Sequence, residues 1–131
     1  MTTFFSWSDF DKGVEYIANK CKFLKISGIY GIPRGGLCLA VALSHKLNIK
    51  LISKPIPNAL IVDDVYETGE TLNDLRNING ANFFVLISKK EPTWWHTFNL
   101  TNKNEWIVFP WENQKNYLLD QKKYKERGHK P

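Results

Sequence analysis

Ala59-Leu60-Ile61-Val62-Asp63-Asp64-Val65-Tyr66-Glu67-Thr68-Gly69-Glu70-Thr71 carries the most informative chemistry in the sequence. Its first four residues are an apolar run too short for a helix and rich in strand formers, which suits a parallel strand buried on both faces. Two aspartates follow at once. Adjacent like charges at the end of a buried strand are costly unless cationic or hydroxyl-bearing ligands meet them. Thr68, Gly69 and Thr71 then stand at the start of a helix. Unbonded N–H groups, the positive end of the helix dipole and two hydroxyls favour an anion there. Carboxylates offered to hydroxyls, followed directly by an anion cradle, suit a sugar phosphate. An ordinary strand-to-helix turn would use the same Asp and Thr residues as caps.

Upstream of this stretch, Ser8 reads as a helix N-cap, with Phe10, Val14, Ile17 and Cys21 at helical spacing behind it. Residues 26–32 read as a strand that ends at Pro33-Arg34-Gly35-Gly36. Leu37, Ala40, Val41, Ser44 and Leu47 form a second helical stripe, and residues 49–53 a second strand. Residues 54–58, with two prolines, form a tight connection. Downstream, residues 71–78 read as a weak helix stopped by Asn79-Gly80, with Gly80 at C′. Residues 83–87 and 106–109 read as further strands, separated by a long irregular segment, 91–104. Strand and helix alternate at short spacing, so the expected fold is α/β, a mostly parallel central sheet flanked by helices. Ligands of such sheets bind beyond the carboxyl ends of the strands. The chemically unusual residues fall at those ends.

The chain has 131 residues, 43% hydrophobic and 24% charged. That is enough for one domain, burying about two thirds of the unfolded surface, and too apolar for a disordered chain. No apolar run approaches the ~20 residues of a membrane span, and the N-terminal residues do not read as a secretory signal. Cys21 and Cys38 are too few for a disulfide framework and lack metal-ligand spacing, so both are expected as reduced thiols in a cytoplasmic protein. Of the net charge of +5, residues 115–131 carry +4. The expected organisation is therefore one domain over residues 1–114 and a basic C-terminal tail over 115–131. A basic excess confined to a tail argues against a nucleic-acid-binding face on the domain. A dinucleotide site is disfavoured too, because no G-x-G-x-x-G follows the first strand.

Residues 59–71 resemble the phosphoribosyl diphosphate (PRPP) signature of type I phosphoribosyltransferases: an apolar strand, two acids, two variable residues, an acid, then Thr-Gly-x-Thr. The resemblance implies that Asp63 and Asp64 face the ribose hydroxyls, directly or through Mg²⁺. It implies that Glu67, Thr68, Gly69, Glu70 and Thr71 hold the 5′-phosphate, and that Glu67 takes or shares a proton at purine N7. Asp is the commoner residue at the Glu67 position. Gly31-Ile32-Pro33-Arg34-Gly35-Gly36-Leu37 resembles the pyrophosphate loop of the same family. There Gly35 and Gly36 let backbone N–H groups approach an anion, and Arg34 can fork onto phosphate oxygens. That loop often holds a cis non-proline peptide, for which Pro33–Arg34 and Arg34–Gly35 are the candidates.

Trp106-Ile107-Val108-Phe109-Pro110-Trp111-Glu112 is similar to the end of the xanthine/guanine/hypoxanthine branch. By that resemblance Trp106 stacks on the base, Ile107 supplies backbone contacts to its edge, and Glu112 joins Asp63 and Asp64 as a metal ligand. Lys90, with Lys89 as the alternative, matches the lysine that meets the purine 6-oxo group. The resemblance thus implies a Mg²⁺-dependent purine phosphoribosyltransferase, a pentosyltransferase with Glu67 and Arg34 as catalytic residues. Its partners would be PRPP and a 6-oxopurine, with no membrane or nucleic acid, and it would form a homodimer. The family's long flexible loop between the second and third core strands is reduced here to residues 54–58. The aromatic segment 92–98 is the candidate substitute cover, in cis or from a second subunit, with His96 an exposed loop residue in it. The alternative class is a non-catalytic PRPP- or nucleotide-binding regulator, contacting RNA through the basic tail.

Overall fold

The computed structural model describes residues 1–113 and 121–122. The expected boundary at residue 114 and the basic tail beyond it lie outside the described residues, apart from 121–122. The elements run β1 (Thr2–Phe4), α1 (Trp7–Cys21), β2 (Ile29–Gly31), α2 (Leu37–Leu47), β3 (Leu60–Tyr66), α3 (Glu70–Leu75), β4 (Asn82–Ser88), β5 (His96–Leu100) and β6 (Trp106–Val108). Four strands form the main sheet in the order β2-β3-β4-β5, every pair parallel. Side chains of successive strand residues face opposite sides, and the core divides accordingly. Leu60, Val62, Phe84 and Leu86 pack under α1 and α2, while Ala59, Ile61, Phe83 and Val85 pack with Leu72 and Trp95 on the other side. The expected α/β architecture is the observed one.

Local differences have identifiable causes. The N-cap of α1 is Ser6, not Ser8. Ser6 Oγ accepts from Asp9 N at 3.0 Å and Asp9 Oδ2 accepts from Ser6 N at 2.9 Å, a reciprocal capping box. The earlier start brings the Trp7 ring to 5.4 Å from Phe10 and 6.0 Å from Trp111. In α2 the buried face is Leu39, Ala40 and Leu43, whereas Leu37 and Val41 are exposed. Residues 49–53 contribute only a bridge from Leu51 to Ile29 rather than a strand. The helix expected to reach residue 78 ends at Leu75. Gly80 belongs to the following turn, at φ +73°, where a Cβ would strike the Asn58 side chain.

Two strands change the layout most. β5 forms inside the segment expected to be irregular and pairs with β4, Phe84 opposite His96 and Ser88 opposite Leu100. His96 is thus an exposed strand residue, its ring stacked on Phe84 at 4.6 Å. With β5 on the sheet edge, β6 pairs instead with the N-terminal β1, Thr2 opposite Trp106. The ladder is extended by Trp106 N donating to Met1 O and Phe5 N to Val108 O. Among the described residues no helix is long and apolar enough to cross a membrane. Both cysteines are free thiols, and burial pushes Cys21 up to about 11.

Candidate active site

Parallel pairing sets the carboxyl ends of β2 and β3 side by side, with Gly31 opposite Val62. The Pro33-Arg34-Gly35-Gly36 turn therefore arrives beside the aspartates that follow Val62. Ile32 N donates to Val62 O at 2.9 Å, and Gly36 N closes the turn onto Ile32 O at 2.8 Å. The Pro33–Arg34 peptide is cis, one of the two bonds the sequence singled out. Gly35 packs directly on the Asp64 carboxylate, and Gly36 on the Val62 carbonyl and the Ile32 backbone, so a Cβ at either position would collide. Glycine is required here by close approach of one backbone to another element.

Asp63 and Asp64 are half-buried. The Asp64 N–H donates to Asp63 Oδ1 at 2.8 Å, and the Val65 N–H to Asp64 Oδ1 at 2.7 Å. Burial pushes the Asp63 carboxyl up to about 6. Burial and the neighbouring Asp63 charge hold Asp64 well above the ordinary carboxylate range. Two carboxyls that resist ionisation together form a site that a cation or a pair of hydroxyls relieves.

Two cavities meet at Asp64. One, of about 330 Å³, is lined by the continuous stretch from Asp63 to Leu72. Gly69, at φ +81°, turns the chain into α3, and the first turn leaves its N–H groups without intrahelical partners. Glu67 is half-buried in this wall, whereas Thr68, Glu70 and Thr71 are exposed. The other cavity, of about 700 Å³, is lined by Arg34, Gly35, Leu37, Cys38, Asp64, Trp111, Glu112 and Asn113. Arg34 is exposed at its rim.

At the end of β4 it is Lys89, not Lys90, that turns inward. Lys89 Nζ lies 3.3 Å from Glu67 Oε1, and Lys89 N continues the ladder to Tyr66 O at 2.9 Å. Lys90 is exposed. Ladder pairing past Ser88 is the signal that separates the two lysines, and it needs the register of β3 on β4. On β6, Trp106 is half-buried and the Ile107 side chain is buried in the core, which leaves Ile107 only its backbone to offer a ligand. Glu112 Oε1 accepts from Phe109 N at 2.7 Å. Among the described residues no three Asp, Glu, His or Cys side chains converge as a metal set, so Glu112 is not gathered with Asp63 and Asp64 into one. Tyr66, Leu37, Cys38 and Trp111 line the cavities without having been singled out in the sequence for that role.

Within one chain the aromatic segment 92–98 lines neither cavity. Residues 54–58 are tied down at the far end of β3, Ser27 Oγ donating to Pro57 O at 2.7 Å and Asn58 N to Asn79 O at 2.9 Å. Trp95 of the aromatic segment is buried in the sheet's second core, because it carries the chain back from the end of β4 to the start of β5. It supports the floor and does not close over the aspartates.

This arrangement of sheet, signature loop and glycine turn defines the chain as having the type I phosphoribosyltransferase fold. No family model matches it. It is 26% identical to the xanthine-guanine phosphoribosyltransferase of Chromohalobacter salexigens, over 82% of each chain. It is 28% identical to the purine phosphoribosyltransferase of Pyrococcus horikoshii Ot3, covering 86% of this chain and 95% of that one at a TM-score of 0.73. The xanthine-guanine-hypoxanthine phosphoribosyltransferase of Helicobacter pylori matches at 17% identity and a TM-score of 0.69, over 92% of this chain and 99% of its own. Adenine and orotate phosphoribosyltransferases share the fold as well, so the fold alone leaves the base open.

Proposed function

We propose that the chain transfers the 5-phosphoribosyl group of PRPP to a 6-oxopurine, guanine, xanthine or hypoxanthine, with release of pyrophosphate. The observation that carries this reading is the meeting of two cavities at Asp64, one walled by residues 63–72 and the other by the Arg34-Gly35 turn and Glu112. A substrate with a phosphate at one end, vicinal hydroxyls in the middle and a diphosphate at the other fits that division. The loop 67–71 holds the 5′-phosphate, and Asp63 and Asp64 hold the ribose hydroxyls. Gly35, Gly36 and Arg34 receive the pyrophosphate.

The raised, mutually repelling carboxyls of Asp63 and Asp64 suit a divalent cation, which when bound supplies countercharge to the diphosphate. Purine N9 bonds to ribose C1′ as the C1′–O bond to pyrophosphate breaks, and the N7 proton leaves to Glu67. Lys89 beside Glu67 presents a donor to the 6-oxo oxygen, while adenine would turn its amino group to that donor. Trp106 stacks on the ring. A homodimer and a cytoplasmic setting belong to the same reading.

The test offers guanine, xanthine, hypoxanthine or adenine singly with Mg²⁺ and PRPP, beside a base-free control, and measures nucleotide and pyrophosphate. Matching nucleotide and pyrophosphate with 6-oxopurines alone supports the transferase. The tethering of residues 54–58 away from the aspartates favours a second reading, a non-catalytic PRPP or nucleotide sensor. Saturable PRPP binding without nucleotide in the same assay would select it.

A further inference from the structure

Tyr66 closes β3 immediately before the loop that forms the smaller cavity, and its side chain turns back beneath that loop. A Cβ on Gly69 would strike the Tyr66 hydroxyl, so the phenol tip lies against Gly69, the one residue of the loop at positive φ. The ring is buried, 7% exposed, and lies flat on Trp95 with centroids 3.7 Å apart and planes 10° off parallel. Trp95 is fixed in turn. Its Nε1 donates to Ser88 Oγ at 3.1 Å, and the fully buried Ser88 donates to Lys90 O at 2.6 Å. Trp94 stands edge-on to Tyr66, Trp95 and Phe83, and the Arg76 guanidinium lies 4.9 Å over its ring.

The order of contacts is therefore Ser88, Trp95, Tyr66, Gly69. A tyrosine ring alone could tilt under a glycine loop. A ring clamped face to face on an indole that is itself hydrogen-bonded to the sheet has one orientation. Gly69 offers no side chain of its own to hold the loop, so the surface beneath it sets where the loop amides point.

We propose that Tyr66 is the positioning residue of the 67–71 loop and that the Trp94-Trp95 segment, by clamping Tyr66, sets the affinity of that loop for a sugar 5-phosphate. The inference rests on the reading of this loop as a phosphate site. It assigns to the aromatic segment a task beneath the site in place of the cover expected over it.

The experiment compares Tyr66→Phe, Trp95→Phe and Trp95→Leu with the wild type by calorimetric titration with ribose 5-phosphate and with PRPP. Thermal unfolding and hydrogen exchange at the amides of residues 68–71 are followed in parallel. Tyr66→Phe keeps the stack and removes the tip; it is expected to weaken both ligands about 3–10-fold without lowering the melting temperature appreciably. Trp95→Leu is expected to weaken them about 10–30-fold at temperatures where it is fully folded, and to accelerate exchange at residues 68–71 more than elsewhere in the sheet. Trp95→Phe restores the stack and recovers most of the affinity. Unchanged affinity in folded Tyr66→Phe and Trp95→Leu would overturn the proposal, as would a loss that follows only the unfolded fraction. If the wild type binds neither ligand, the phosphate reading fails. Exchange then decides the positioning role alone: selective acceleration at 68–71 in Trp95→Leu sustains it, and uniform or absent acceleration ends it.

Discussion

Lys89 Nζ lies 3.3 Å from Glu67 Oε1, with 5% of the lysine side chain and 18% of the glutamate side chain exposed. The glutamate's extra methylene relative to aspartate lengthens its reach toward the lysine at the end of β4. A largely buried ion pair is a matched donor and acceptor, and losing one partner strands the other. Lys89→Met is therefore expected to raise the KM for guanine by about tenfold or more, while Lys90→Met changes it less than twofold. Steady-state kinetics with both variants decides between the two lysines.

Glu67→Gln keeps the shape of the pair but cannot accept the N7 proton. Turnover should fall by about 10²-fold or more, within the usual range for general-base assistance. PRPP affinity, measured by titration, should change little. Equal losses in turnover and PRPP affinity would assign Glu67 to binding alone.

The aspartate pair makes the ligand-free protein pH-sensitive in a definite direction. Burial raises the Asp63 carboxyl to about 6 in the folded chain against an ordinary 3.8, and Asp64 is raised as well, so the folded state holds these protons more tightly than the unfolded chain. The stabilising contribution is complete below about pH 4 and is lost as the pH rises through about 6. Unfolding followed by denaturant titration should show Asp63→Asn more stable than wild type at pH 7.5, by on the order of 1–3 kcal/mol, with the difference vanishing near pH 4.

Gly35 and Gly36 are adjacent but should fail differently. A methyl at residue 35 meets the Asp64 carboxylate, a side-chain end that can move, so Gly35→Ala should fold normally and lose PRPP affinity about tenfold or more. A methyl at residue 36 meets the Val62 carbonyl and the Ile32 backbone, which cannot move without breaking the sheet edge. Gly36→Ala should lower stability by about 1–3 kcal/mol, as overpacking does. Melting curves and PRPP titrations on both variants test the contrast.

Stacking on an aromatic ring is worth ~1–3 kcal/mol per base. Trp106→Ala should accordingly raise the KM for the purine about 5–150-fold, and Trp106→Phe should recover much of it. A change in PRPP affinity instead would remove Trp106 from the base site.

Residues 59–71 disclosed their strand, their turn and their paired carboxylates because each depends on neighbours in sequence. The glycine turn at residues 33–36 was legible for the same reason. Lys89 was not separable from Lys90, because inward or outward direction is fixed by the pairing of β4 with β3, a nonlocal fact. β1 is three residues long and reads as a strand only when β6 lies beside it. Trp94 and Trp95 looked like a surface insert because nothing local reveals that the chain must pass back across the sheet between two parallel strands. The local signals thus marked the paired carboxylates and the two loops that meet at Asp64, and long-range packing decided the floor beneath them and the direction of Lys89.

The pairing of β1 with β6 joins residue 2 to residue 106 and residue 4 to residue 108. On a ribosome, the first residues to leave the exit tunnel must therefore wait for nearly the whole domain to be synthesised before their ladder can form. Until then β1 has no partner, and the four-stranded sheet that carries residues 63–72 does not depend on that ladder to form.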